Sequence, residues 1–171
     1  TGTLTASAGS WDNYRASADL SSPLTSDGRI RGRIVVAEED KKSFIDNYSR
    51  ERRTFYATVA ADLAPTTRLD LGASQQRGRA KGVTYGGFPM VYSDGTAIDW
   101  RSRGRSFSIW PRWSSEDTES TNTFAELAHE WSNGWQTKAL AMYSKQEVDS
   151  ARIFPWGFPD PETGVMSSNP S

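Results

Sequence analysis

Apolar and polar residues alternate along most of this chain. Between Tyr14 and Leu20 every second residue is apolar, and the residues between them are Arg15, Ser17 and Asp19. Successive side chains of a β-strand point to opposite faces, so this pattern predicts a strand with one apolar and one polar face. The same alternation recurs near 30–36, 54–63, 68–74 and 135–143. We therefore expect an all-β protein.

Turn residues separate the alternating segments. Asp27-Gly28 and Asn133-Gly134 are two-residue hairpin signals, because these residue types tolerate positive φ. Connections near 25–28, 65–67 and 132–134 are predicted to be short, whereas those near 39–50, 78–108 and after 149 are predicted to be long. We predict strands near 2–9, 12–21, 29–38, 51–63, 68–77, 112–131 and 135–148, in one antiparallel up-and-down meander.

The predicted loop lengths indicate where such a sheet resides. Short turns at one end and long loops at the other are typical of a transmembrane β-barrel. Strands of about 9–11 residues cross a bilayer when they are tilted. We predict that the seven strands are part of a larger transmembrane barrel. One face would then line a polar lumen with these residues: Arg15, Asp19, Arg31, Arg33, Asp62 and Asp70.

Composition limits the remaining classes of protein. The chain has 20 Lys and Arg against 21 Asp and Glu, a net charge of −1, which argues against nucleic acid as a partner. It has no run of about 18 apolar residues, which excludes a transmembrane helix. It has no cysteine, hence no disulfide and no thiolate chemistry. The seven Trp favour a membrane interface or a surface that stacks on a ligand.

The sequence offers no catalytic constellation. His129 is the one histidine, and no serine is marked as a nucleophile that it would serve. No phosphate-binding GxxxxGK[ST] motif occurs. We therefore predict that the protein is not an enzyme, with no catalytic residue, no metal site and no cofactor.

The long connection at 78–108 is the main candidate for a binding site. Among its glycines and proline it carries the candidate residues Tyr85, Phe88, Tyr92 and Trp100. Loops of this length are usually functional or disordered. Aromatic rings stack on planar or apolar ligand parts, and Arg or Lys meets anionic oxygens. The alternative is that residues 85–88 form a hairpin that packs on a neighbouring loop.

Three further tryptophans are weaker candidates. Trp110 and Trp113 lie near the start of the sixth predicted strand, and packing in the loop or at the membrane interface is the favoured role for them. Trp156 lies with Phe154 and Phe158 in a proline-rich segment that could form another aromatic wall. All three are kept as ligand-binding candidates.

An ordered set of short motifs resembles a known family. The set comprises SAGSWDNYR at 7–15, SPL at 22–24, IRGR at 30–33, Asp40, SFID at 43–46, YGGFP at 85–89, FAEL at 124–127 and NGW at 133–135. It resembles TonB-dependent outer-membrane siderophore receptors, especially the ferripyoverdine and ferric-hydroxamate group. The order and spacing match the first barrel strands after the plug, over nearly the whole chain.

The resemblance implies a location and a set of partners. It implies a bacterial outer-membrane receptor that takes up ferric siderophores, in which iron enters only as part of the ligand. Residues 1–171 would be a single segment of a barrel of about 22 strands. The plug, the TonB box through which TonB acts, and the other strands would lie outside it. Aromatic residues at the extracellular mouth would contact the siderophore, and the outer wall would contact lipid and lipopolysaccharide.

Two other functions remain open from the residues. A soluble all-β carbohydrate-binding module would use the tryptophans as stacking platforms. A channel-forming porin is the third class. The discriminating feature is whether the face that carries Tyr14, Ala16, Ala18 and Leu20 meets lipid or a second packed sheet.

Overall fold

The computed structural model describes the backbone of residues 1–170 and the side chains of residues 1–166. Seven strands form one antiparallel sheet in the order β1 to β7. Their bounds are β1 Gly2–Gly9, β2 Asn13–Pro23, β3 Ile30–Lys42, β4 Ser49–Ala64, β5 Thr67–Lys81, β6 Ser115–Glu130 and β7 Gln136–Ala151. A small hairpin of β8 (Ile153–Trp156) and β9 (Ser167–Pro170) follows. The predicted seven-strand meander is confirmed, whereas the small hairpin was not predicted.

The register of the sheet collects the apolar residues on one face. Leu20 pairs with Ile34, Ile34 with Ala57, and Ala57 with Ala73. We call this side the apolar face. Ile34 is half exposed, and Trp110 is the only buried hydrophobic side chain among the described residues. Within the described part of the chain, therefore, no second sheet covers the apolar face.

The opposite side, the polar face, carries paired charges. Arg33 and Asp19 approach to 2.6 Å, and Arg31 and Asp62 approach to 2.7 Å. Each pair joins neighbouring strands and lies partly exposed. The charged residues that the alternation assigned to one face do share it.

The predicted bounds of the long connections are wrong. Strand β3 runs on to Lys42 and β4 begins at Ser49, so the connection predicted at 39–50 spans only 43–48. Strand β5 likewise continues to Lys81 and β6 begins at Ser115, which moves the loop predicted at 78–108 to 82–114. Among the connections between strands of the sheet only this last one is long, and the long segment predicted after 149 begins at 152, beyond β7.

Charged residues extend these strands, and this explains the error. Beyond the apolar residues, two charged rows cross the sheet on the apolar face. They are Glu38, Arg53, Arg77, Glu119 and Glu147, and Asp40, Glu51, Arg79, Asp117 and Asp149. We call them the charged belt. Arg53 pairs with Glu38 at 2.9 Å, and Arg79 with Asp117 at 2.8 Å. Regular strand pairing thus continues where the hydrophobic alternation stops.

The turns at the opposite end differ in detail from the prediction. At the connection between β6 and β7, Gly134 has φ +84°, whereas Asn133 keeps a negative φ. The backbone N–H of Trp131 donates to the carbonyl oxygen of Trp135 at 2.8 Å. The turn is therefore wider than a two-residue hairpin with two positive φ angles. No helix in the described residues is long and apolar enough to span a membrane.

Candidate ligand-binding mouth

The loop of residues 82–114, the long loop, is fixed at its base. The N–H of Gly82 donates to the carbonyl of Ser114 at 2.9 Å, which closes the loop at the end of the sheet. Gly82 has φ +63°, and a Cβ there would collide with the carbonyl oxygen of Asn47. The N–H of Asp46 also donates to the carbonyl of Ser106 at 2.7 Å, and the Ser106 hydroxyl donates to the Asp46 carboxylate at 3.2 Å. The 43–48 connection therefore holds the long loop in place.

A first aromatic cluster lies within the long loop. The rings of Phe88 and Trp100 are 5.1 Å apart, and Phe107 stacks on Trp100 at 5.9 Å. The Trp100 indole N–H donates to the carbonyl of Pro89 at 2.6 Å, which fixes the plane of the indole. The Arg103 guanidinium lies 5.6 Å from the Phe107 ring centre, within the range of a cation–π interaction. The result is a packed aromatic cluster with one adjacent positive charge.

A second aromatic cluster joins the long loop to residues 152–166, which we call the distal segment. The rings of Tyr85 and Phe154 form a T-shaped pair with centres 5.3 Å apart, and the ring of Trp156 lies 5.7 Å from that of Phe154. Arg152 lies 5.8 Å from the centre of the Tyr85 ring. Tyr85 is 60% exposed and Trp156 is 66% exposed, so both rings offer free surface.

The other predicted site residues lie apart from the two clusters. Tyr92 lies in a small turn, where its N–H donates to the carbonyl of Thr96 at 2.8 Å. Trp110 is 8% exposed, so its ring packs inside the loop, whereas Trp113 is 55% exposed just before β6. Tyr85, Phe88, Trp100 and Trp156 are thus the predicted residues that the fold brings into aromatic clusters.

Sequence reasoning missed Phe107, Arg103 and Arg152. Phe107 and Arg103 lie in the arginine-rich stretch from residue 101 to residue 113, whose register the alternation did not define. Arg152 follows β7 directly, in a region predicted only as a long connection. An arginine four residues from a phenylalanine was the available signal, but that spacing alone does not predict contact.

Two aspartates accept hydrogen bonds within turns, Asp94 in the long loop and Asp160 in the distal segment. Hydrogen bonds from the hydroxyl and backbone N–H of Thr96 lower the pKa of Asp94. Hydrogen bonds from the backbone and hydroxyl of Thr163 lower the pKa of Asp160. The N–H of Ser93 donates to the carbonyl of Pro159 at 2.9 Å, which ties the long loop to the distal segment.

His129 has a local partner at the other end of the sheet. Its Nδ1 lies 2.8 Å from the hydroxyl of Thr67, the residue directly opposite it in the register. Its ring meets Trp131 edge-on at 4.5 Å. These contacts give the one histidine a packing role far from the long loop.

Sequence and structure comparisons place the chain among outer-membrane siderophore receptors, and they confirm the resemblance and the location predicted from the residues. No protein-family model matches the chain. The ferripyoverdine receptor of Pseudomonas aeruginosa is 43% identical over 132 residues, which are 77% of this chain and 16% of the receptor. The ferric-pyoverdine 358 receptor of Pseudomonas putida is 37% identical over 147 residues, 86% of this chain and 17% of that receptor.

The fold agrees with the sequence. The crystal structure of the P. aeruginosa ferripyoverdine receptor bound to ferripyoverdine matches with a TM-score of 0.88 and 37% identity, over 94% of this chain and 21% of that chain. The chain thus spans about a fifth of the length of the relatives it matches. These relatives are named as receptors and not as enzymes. The comparisons support the receptor over the carbohydrate-binding module.

Proposed function

We propose that this chain forms part of the wall and of the extracellular mouth of an outer-membrane receptor for ferric siderophores of the pyoverdine type. The observation that carries the proposal is the open sheet itself. One face is apolar and uncovered, the other is lined with ion pairs, and an aromatic loop stands at one end. Two relatives matched over most of the chain are named as a ferripyoverdine receptor and a ferric-pyoverdine receptor.

The two faces suit two different surroundings. The apolar face would contact lipid. Burial in the hydrocarbon would remove the exposed apolar side chains of Ile34 and Leu71 from water. The polar face would line the lumen, where Arg33–Asp19 and Arg31–Asp62 stay hydrated or meet a plug. The charged belt would lie beyond the hydrocarbon, level with lipid and lipopolysaccharide headgroups.

The long loop and the distal segment would contact the siderophore. The proposed contacts are Tyr85, Phe88, Tyr92, Trp100, Trp113 and Trp156. Trp110, which packs inside the loop, would contact the ligand only if the loop rearranged. Exposed rings of Tyr85, Phe88 and Trp156 would stack on the planar part of the ligand, because such surfaces gain from apolar burial and offset stacking. Arg103, beside the first cluster, would attract anionic oxygens.

Transport itself would require no bond-making group from this segment. We propose that the chain is no enzyme, that it holds no cofactor, and that iron enters as the ferric ion of the siderophore. Energy would come from TonB, which acts on a plug and a TonB box outside these residues. Nucleic acid has no place in this function.

The test is binding of ferric pyoverdine to the full-length receptor that carries this segment, measured in detergent by quenching of tryptophan fluorescence. Saturable quenching is the expected result, because exposed tryptophans flank the proposed site. An unrelated ferric hydroxamate is the specificity control. Absence of saturable binding by every ferric siderophore tested, with the receptor correctly folded, would overturn the proposal.

A further inference from the structure

Arg152 occupies an unusual position at the end of the sheet. It follows the last residue of β7, and its side chain is only 17% exposed. Its guanidinium pairs with the carboxylate of Glu116 on β6. Glu116 lies opposite Ser150 in the register, so the carboxylate belongs to the rigid sheet. The ion pair therefore anchors Arg152 to strand β6.

The same guanidinium also lies over an aromatic ring. Its central carbon is 5.8 Å from the centre of the Tyr85 ring, within cation–π range. Its Nε is buried and has no hydrogen-bond acceptor among the described residues. A buried donor without a partner is rare in native proteins. The ion pair and the ring are thus the contacts that hold this group.

Tyr85 depends on such a support because of its own location. It lies on the long loop next to Gly86 and Gly87, which lack side chains and leave the backbone conformationally free. The Phe154 ring lies perpendicular to it with ring centres 5.3 Å apart, and Tyr85 as a whole is 60% exposed. Without Arg152, little in the described structure fixes the plane of this ring.

We infer that Arg152 is a positioning residue of the ligand mouth, which holds the Tyr85 ring in its ligand-binding orientation while Glu116 anchors the guanidinium. The inference rests on the proposed function, because it assumes that Tyr85 contacts the siderophore. The planar guanidinium is essential, since it lies over the ring and pairs with a carboxylate at the same time. Lysine presents a point charge and does not reproduce this arrangement.

The experiment is a double-mutant cycle in the full-length receptor, with ferric pyoverdine as the probe and its Kd measured by fluorescence quenching. Arg152→Gln should weaken binding about fivefold. Arg152→Lys should weaken it to a similar extent, and Tyr85→Phe should keep the parent affinity because the ring remains. In a Tyr85→Ala background, Arg152→Gln should cause no further loss, because the residue acts through the ring.

Arg79→Gln is the matched control. Arg79 also pairs with a carboxylate of β6, Asp117 at 2.8 Å, but it lies in the charged belt away from the aromatic clusters. It should leave the Kd unchanged. Glu116→Gln, which keeps Arg152 but removes its anchor, should weaken binding in the same direction as Arg152→Gln.

The outcomes separate the two proposals. If Arg152→Gln leaves the Kd unchanged, or weakens binding equally with and without the Tyr85 ring, the positioning role is overturned while the receptor stands. If the parent receptor binds no ferric siderophore, the proposed function fails instead. Heat-dependent electrophoretic migration of each variant reports whether the barrel has folded.

Discussion

Gly72 lies directly beneath the ring of Phe124, its partner across β5 and β6 on the polar face. A Cβ at residue 72 would overlap the ring, so only glycine lets the phenylalanine lie flat on the sheet. Glycine within a strand often marks such a close approach. The Phe124 ring thereby covers the backbone of Gly72, which has no side chain of its own.

Replacement of Gly72 should therefore destabilise the barrel wall. Gly72→Val should push the Phe124 ring away and cost about 1–3 kcal/mol, the range for overpacked sites. The measurement is the temperature at which the folded form of the receptor is lost in electrophoresis. Gly86→Ala is the control, because nothing lies within 4 Å of a Cβ there. Equal stability of Gly72→Val and the parent would contradict the packing described.

The apolar face should not tolerate a charge at mid-height. Val59 pairs with Gly32 on one side and Leu71 on the other, inside the apolar band. Val59→Lys should cost about 2–4 kcal/mol of stability in a bilayer, the range for lysine on the lipid face near the midplane. Thr58→Lys, one residue away on the polar face, should insert normally. Folding yield into lipid vesicles measures both, and equal yields would show that this face does not meet lipid.

The base of the long loop should require glycine at residue 82. Gly82→Ala forces an L-residue into φ +63° and a methyl group into the carbonyl of Asn47. We expect the loop to shift and ferric pyoverdine to bind several-fold more weakly, with the barrel still folded. Gly95→Ala is the comparison, since it shares a positive φ but has open space around the Cβ. A parental Kd for Gly82→Ala would refute the fixed base.

The two aromatic clusters should both contribute to binding. Phe88→Ala and Tyr85→Ala each remove an exposed ring, and each should raise the Kd about fivefold or more, as expected for truncated aromatic contacts. Trp131→Ala, at the opposite end of the sheet, should leave the Kd unchanged. If neither loop variant differs from the parent in the fluorescence titration, the ligand contacts lie elsewhere.

The turn between β2 and β3 should respond to acid through Asp27. The hydroxyl of Thr25 donates to the Asp27 carboxylate at 2.6 Å and lowers the pKa of Asp27, with a further contribution from the N–H of Arg29. Because the folded pKa lies below the unfolded value, this stabilisation is present above the unfolded pKa. It is lost as the pH falls through the folded pKa.

Thr25→Val should consequently raise the pKa of Asp27 towards its ordinary value. Carboxyl chemical shifts of Asp27, followed by NMR over an acid titration, measure this change. Thr66→Val, in the neighbouring connection, is the matched control and should leave the titration of Asp27 as it is. An unchanged Asp27 titration in Thr25→Val would show that the hydroxyl does not hold the carboxylate.

The alternation of side chains was sufficient to predict the class of fold. Tyr14 to Leu20 alternates strictly and Phe55 to Leu63 carries an apolar residue at every second position, and the strands they predict are present with the expected faces. It was insufficient at the charged belt, where Arg79 fell in the predicted loop at 78–108 but pairs with Asp117 across β5 and β6 at 2.8 Å. Backbone hydrogen bonding between neighbouring strands does not depend on side-chain polarity. Pairing of the strands therefore extends here past the last apolar residue.

The sequence by itself determined the meander, the two faces and the resemblance to siderophore receptors, because these depend on local periodicity and on short ordered motifs. Only the tertiary structure decided which aromatic residues meet. Tyr85 and Phe154 are far apart in the chain, yet their rings are 5.3 Å apart, and the Arg152 guanidinium lies over the Tyr85 ring. Such contacts depend on how the ends of β5, β6 and β7 are brought together, which no local pattern along the chain encodes.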